Sequence, residues 1–125
     1  MVTADALSIS DAAQLTGLST HTLRYYERAG LMLDPVERAP STHRRYSEEE
    51  IRWVTLLTRM RATGMPIRRM REYAELVRAG DGNEAERLAL LEAHRTAVLE
   101  QLDAMRDNLE AIDRKIELYR DRVGC

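Results

Sequence analysis

The chain has 125 residues, the size of one small domain with an extension, and it lacks phenylalanine, so any core it builds is modest. Charged residues make up 32% of it, which fits a helical protein with a long exposed helix and not a disordered one, while a net charge of −2 argues against a uniformly basic nucleic-acid protein. Its one cysteine, Cys125, excludes an intrachain disulfide and a cysteine-pair metal site.

No apolar run approaches the roughly 20 residues of a membrane span, and the first residues, MVTADALSIS, lack the basic and apolar regions of a secretory signal. The expected compartment is the cytoplasm, with no membrane partner. Charge is unevenly divided. Residues 1–80 hold twelve arginines against ten acids, a net +2, and residues 81–125 hold seven basic against eleven acidic side chains, a net −4. The basic field is therefore local, carried by Arg24, Arg28, Arg38, Arg44, Arg45, Arg68, Arg69 and Arg71.

Met1 to Leu7 reads as a short, loosely held arm. Ser10 is the expected cap of a first helix, with Asp11 suited to its positive end and Ala12, Ala13 and Leu15 turned inward before Gly17 breaks the pattern. Ser19 caps a second helix over about Thr20 to Ala29, and Gly30 stands where that helix would end. At about 3.6 residues per turn, His21, Arg24, Tyr25 and Arg28 share one face, while Leu18, Thr22, Leu23 and Tyr26 lie toward the other. Two capped helices joined through the Gly17 turn predict a helix-turn-helix. Guanidinium groups fork onto phosphate oxygens or guanine edges, and phenols reach phosphates without needing charge, so the polar face suits DNA.

Leu31 to Tyr46 contains Pro35, Pro40 and a Ser-Thr pair, which predicts a short two-stranded wing turning near Pro40-Ser41. His43-Arg44-Arg45-Tyr46 repeats the chemistry of the helix at its end. The candidate DNA-binding residues are accordingly Ser19, Thr20, His21, Arg24, Tyr25 and Arg28 on the helix and Arg38, His43, Arg44, Arg45 and Tyr46 on the wing. A solvated charged face explains an arginine-rich helix alone, but not the ordered combination of capped half, turn, helix and basic wing.

Ser47-Glu48-Glu49-Glu50 forms a capping box that starts another helix, with Ile51, Val54, Leu57 and Thr58 on one face and Gly64 as its end. Pro66 opens the next, carried by Ile67, Met70, Ala74 and Val77 and stopped by Gly80-Asp81-Gly82, so the pair reads as an αα-hairpin. The lone Trp53 is read as a core or interface residue. Arg68, Arg69 and Arg71 form either a solvated face or a run from which two arginines reach flanking phosphates.

Asn83 and Glu86 form another cap-like pair, and from there the pattern becomes heptads. Leu88, Leu91, Arg95, Val98, Leu102, Met105, Leu109, Ile112, Ile116, Tyr119 and Val123 alternate spacings of three and four with Arg95 alone polar, as a coiled-coil seam does. From Glu84 to Val123 such a helix is about 60 Å long. It cannot bury that seam against so small a head, and it contains no glycine or proline at which to fold back. The same helix of a second copy is its most economical partner, through Leu91, Val98, Leu102, Met105, Leu109, Ile112, Ile116 and Tyr119. The expected fold is mainly α: a winged helix-turn-helix DNA-binding head with its hairpin over 1–80, then a long C-terminal coiled-coil dimerisation helix and short tail over 81–125.

The stretch from Ile9 to Leu33, with TLRYYERAGL at Thr22 to Leu31 and RRYSEEEI at Arg44 to Ile51, closely resembles the N-terminal domain of the MerR family of bacterial transcription regulators, and the likeness extends over nearly the whole chain. The resemblance implies a winged helix-turn-helix homodimer that binds a pseudo-palindromic promoter element, bends and underwinds it, and so controls how the RNA polymerase recognition boxes align. EEEIRWVTLLTRMRATGMPI is most similar to the short regulators associated with aldehyde and electrophile stress, but Arg59 stands where that branch carries a sensor cysteine. The family's metal sensors carry a thiol at the start of the dimerisation helix, where Gly80-Asp81-Gly82-Asn83 stands here, and a pair beyond its end, where only Cys125 lies. The four cysteines of the iron–sulfur branch and the appended ligand domain of the multidrug branch are absent. No cofactor is expected, and the small-molecule effector, if there is one, is not identified.

An enzyme is not expected, because His21, His43 and His94 fall on the second helix, the wing and the coiled coil, with no Gly-rich phosphate loop and no nucleophile–base motif nearby. A coiled-coil adaptor without a DNA role accounts for the acidic C-terminal third but leaves Arg24, Tyr25 and the basic wing without a purpose.

Overall fold

The structure, a computed structural model, describes residues 7–33 and 45–124. The expected wing turn at Pro40-Ser41 lies outside them, as does Cys125. Helices α1 (Ile9–Thr16), α2 (Thr20–Arg28), α3 (Glu48–Ala62), α4 (Ile67–Arg78) and α5 (Glu84–Val123) dominate, with two short strands, β1 (Leu7–Ser8) and β2 (Arg45–Tyr46). The strands pair antiparallel, Leu7 opposite Tyr46 and Ser8 opposite Arg45. The end of the expected loose arm is therefore held, because its backbone takes up the hydrogen bonds of the strand leading into α3.

That pairing also moves the first cap. Ser8, not Ser10, accepts the N–H of Asp11 at 3.1 Å, since the extended backbone of Ser8 has the geometry a cap requires, whereas Ser10 already lies inside α1. Ser19 and Ser47 cap α2 and α3 as expected, accepting from Thr22 and Glu50 at 3.0 and 3.1 Å. Pro66 precedes α4 as its cap residue, its carbonyl accepting from Met70 at 3.0 Å.

Helices α2 and α3 end in the same way. Gly30 has φ +76° and Gly64 φ +97°, so each can turn the chain left-handed without a Cβ penalty. Leu31 N–H then returns to Tyr26 O at 3.1 Å, and Met65 N–H to Met60 O at 3.0 Å. Both turns pair buried apolar residues: Leu31 with Tyr26, and Met65 with Met60.

The core draws on each of the first four helices, through Ala12, Leu23, Tyr26, Val54, Leu57, Met60, Met70 and Ala74, with Leu31, Met32, Tyr46, Trp53 and Met65 completing it. Burying each of its larger side chains contributes roughly 1.5–3 kcal/mol. Trp53 belongs to this core and stacks on Tyr73, the ring centroids 5.6 Å apart and the planes 11° from parallel.

Asn83 does not cap α5 with its side chain. Its Nδ2 donates to Leu76 O at 2.9 Å and its Oδ1 accepts from Arg87 Nε at 2.6 Å, while Arg87 also donates to Gly80 O. Glu84 serves the turn instead, accepting from Gly82 N at 3.0 Å. These bonds bind the first turn of α5 to the end of α4, and the chain forms two compact units, Met1–Leu88 and Ala89–Cys125. The second unit is helical through Val123, and among its described residues no side chain is buried.

Candidate nucleic-acid interface

Two buried residues orient α2. Leu23 is fully buried and Tyr26 nearly so, which turns His21, Arg24, Tyr25 and Arg28 outward on the opposite face, all exposed. Arg24 and Arg28 are exposed and make no ion pair among the described residues. Tyr25 leans on the buried Tyr26, ring centroids 6.2 Å apart at 53°, which restrains a phenol that solvent still reaches. At the start of the helix the Ser19 hydroxyl is committed to Thr22, accepting from its N–H and donating to its Oγ1, each at 3.0 Å. Thr20 is half-buried beside it.

Arg38, His43 and Arg44 lie outside the described residues, and of Arg45 the backbone alone is described. Tyr46 is a correction. Its side chain is fully buried and its hydroxyl donates to the Glu27 carboxylate on the inner side of α2, so it holds β2 against that helix instead of facing a ligand.

The arginines of α4 divide three ways. Arg68 is exposed, and Arg69 pairs with Glu72 at 2.8 Å on the surface. Arg71 is occupied: its Nε donates to Ala29 O at 2.8 Å. Arg78, outside the expected set, donates to Gly30 O at 3.2 Å and Met32 O at 2.6 Å, and Trp53 Nε1 donates to Leu31 O at 2.7 Å. Every carbonyl from Ala29 to Met32, immediately after the cationic helix, is thus taken by a side chain from α3 or α4. Sequence spacing carries no signal for these bonds.

Along α5 the seam stands open. Leu102, Met105, Leu109, Ile112, Ile116 and Tyr119 are 42–66% exposed, and Leu91 and Val98 are half-buried. Leu99, which the heptad reading passed over, widens the strip at 42%. Near the helix end Ile112, Ile116, Tyr119 and Val123 line an open apolar groove of about 760 Å³. Among the described residues no three His, Cys, Asp or Glu side chains gather as metal ligands, and no helix is long and apolar enough to cross a membrane.

A capped helix-turn-helix with a cationic second helix, in a chain that also carries an unburied heptad seam, defines a helix-turn-helix transcriptional regulator. The chain belongs to the MerR family: residues 7–76 match the MerR HTH family regulatory protein. It is 38% identical over 94 residues to the HTH-type transcriptional regulator AdhR of Bacillus subtilis, covering 75% of this chain and 66% of that one. An uncharacterized HTH-type transcriptional regulator of Haemophilus influenzae is 32% identical over 109 residues, 87% of this chain and 80% of the relative. Among solved structures it is similar to HiNmlR, a MerR family regulator lacking the sensor domain, bound to promoter DNA. There the TM-score is 0.82 and the identity 30%, over 93% of this chain and 91% of that one. The family is one of regulators, not of enzymes.

Proposed function

We propose that the chain acts as a homodimer that binds a pseudo-palindromic double-stranded promoter element and distorts it to control transcription by RNA polymerase. One observation carries this reading: a cationic helix face with no ion pair among the described residues and a long exposed apolar seam occur in one chain. Each copy supplies one reading helix, so two copies joined through α5 match two half-sites separated by whole turns of B-DNA. His21, Arg24, Tyr25 and Arg28 contact base edges and phosphates from α2, joined by Arg38, His43, Arg44 and Arg45. The likeness to HiNmlR, solved on promoter DNA, supports the same use of the head.

The family resemblance implies distortion and the architecture permits it, since two heads joined through α5 can keep a duplex bent at a cost of about 1–6 kcal/mol, offset by added contacts. The site then lies in the spacer of a promoter whose recognition boxes are misaligned, and polymerase shares it. The chain works in the cytoplasm and uses no cofactor, and any effector is a small molecule that does not depend on several thiolates. A coiled-coil adaptor explains α5 but not the exposed face of α2.

Footprinting with the full chain on its own upstream region, followed by transcription with polymerase, tests the proposal. A two-fold footprint within the spacer, steep weakening with salt and joint occupancy with polymerase are expected. A single asymmetric half-site, or exclusion of polymerase, contradicts it.

A further inference from the structure

We propose that Arg71, Arg78 and Trp53 are positioning residues for DNA recognition: they set the direction in which the chain leaves α2, and so the aim of its cationic face, without touching DNA. The proposal rests on the reading of α2 as the DNA-contacting helix. It starts from the four successive carbonyls, Ala29 to Met32, held by three side chains at 2.6–3.2 Å.

A helix end normally leaves its last carbonyls to solvent or to a single capping turn. Here the turn at Gly30 is already closed by backbone bonds to Glu27 and Tyr26, so the extra donors are not needed to end the helix. What they add is orientation. Arg71 and Arg78 come from the first and last parts of α4 and Trp53 from α3, so the peptide planes after α2 are fixed against two other elements at once. Turning any one of these planes breaks a bond to a charged or buried donor. A Cβ added at Gly30 would sit 3.9 Å from Arg71 Nε, which shows how closely the guanidinium follows this turn.

The bonds differ in how they are held. Trp53 is buried and locked by its stack on Tyr73, so its N–H is a fixed reference point. Arg78 is exposed, and its NH1 bridges the carbonyls of Gly30 and Met32. Arg28, on the reading face, lies two residues before Gly30. A small rotation at this exit therefore moves Arg28 and Arg24 relative to the rest of the head, and tight base contacts do not tolerate such a shift. Recognition of a preferred sequence is sensitive to that aim, whereas attraction to any duplex depends on net cationic charge.

The test uses full-length chains carrying Arg71→Met, Arg78→Met, Arg78→Lys and Trp53→Phe. The probes are a duplex selected from a random pool by the wild type and the same duplex scrambled. Methionine keeps the aliphatic stem while removing the donors, and phenylalanine keeps an aromatic face against Tyr73. Arg71→Met and Arg78→Met are expected to bind the selected duplex about tenfold more weakly, with affinity for the scrambled duplex and the salt dependence unchanged. Arg78→Lys, which retains a cation able to bridge two carbonyls, restores most of the preference. Arg78→Met keeps the test sound even if Trp53→Phe lowers folding. An equal loss on both duplexes with the salt slope reduced by about 1 makes these arginines phosphate contacts and overturns the proposal. Unchanged preference with a lower melting temperature also overturns it, leaving a structural role alone. A wild type with no preference for any duplex defeats the DNA-binding reading itself, which variants weakened against a selective wild type cannot do.

Discussion

Leu102 lies at the middle of the α5 seam and is 46% exposed in the single chain. Full burial of a leucine stabilises by roughly 1.5–3 kcal/mol, so closing its open half against a partner contributes about 1 kcal/mol per copy, or about 2 in a symmetric dimer. Leu102→Asp removes that contribution and places two carboxylates in an apolar seam, where an unpaired ion costs several kcal/mol even after relaxation. The sum is on the order of 5 kcal/mol or more, a loss of at least about 1000-fold in dimer affinity. Sedimentation velocity at micromolar concentrations is expected to show wild type as a dimer and the variant as a monomer, with operator binding lost in parallel. Ala104→Asp, exposed and off the seam, provides the control and stays dimeric. A dimeric Leu102→Asp chain would mean that the seam runs along another face. Equal dissociation of both variants would mean that added negative charge alone separates the helices.

Arg24→Ala is expected to weaken operator binding by about 1–3 kcal/mol without a change in melting temperature, because the side chain is exposed; unaltered binding in a titration at fixed salt removes Arg24 from the interface. Tyr46→Phe takes away a hydroxyl donated to a carboxylate, so thermal unfolding is expected at lower temperature, at a cost of about 1.5–3 kcal/mol, with the salt slope of DNA binding unchanged. A reduced slope at unchanged stability returns Tyr46 to the DNA face. The Glu84 carboxyl is held below its usual value of 4.5 by its own backbone N–H and by that of Gly82, with a smaller contribution from Arg87. A lowered folded value means that its stabilising effect is present above the unfolded value and lost as pH falls through the folded one. Exchange protection at the start of α5 is expected to fall as the pH is taken below the usual value of 4.5, and Glu84→Gln to lack that acid dependence.

Local signals carried much of the architecture. Ser19, Ser47, Gly30 and Gly64 mark helix ends through bonds spanning three to five residues, and a single chain displays such spacings directly. The face shared by His21, Arg24, Tyr25 and Arg28 follows from helical periodicity once Leu23 and Tyr26 are recognised as apolar. Ser8 was missed because its capping geometry depends on pairing with Arg45, a distant residue. The arginines before Tyr46 point to a ligand contact, whereas strand alternation and the Glu27 carboxylate 19 residues away decide where its side chain goes. Arg71 and Arg78 reach carbonyls 42 to 48 residues distant, so composition shows only two more cations.

Leu31 and Met32 are sunk in the core before residues 34–44, and Tyr46 is sunk in it after them. The eleven residues 34–44 therefore leave from and return to anchored ends. The entropy of closing a chain segment depends on bringing its ends together and only weakly on its length, and here folding of the head already meets that cost. On the reading proposed above, in which Arg38, His43 and Arg44 contact DNA, substitution within 34–44 is a route to a new operator that leaves the buried residues on either side in place.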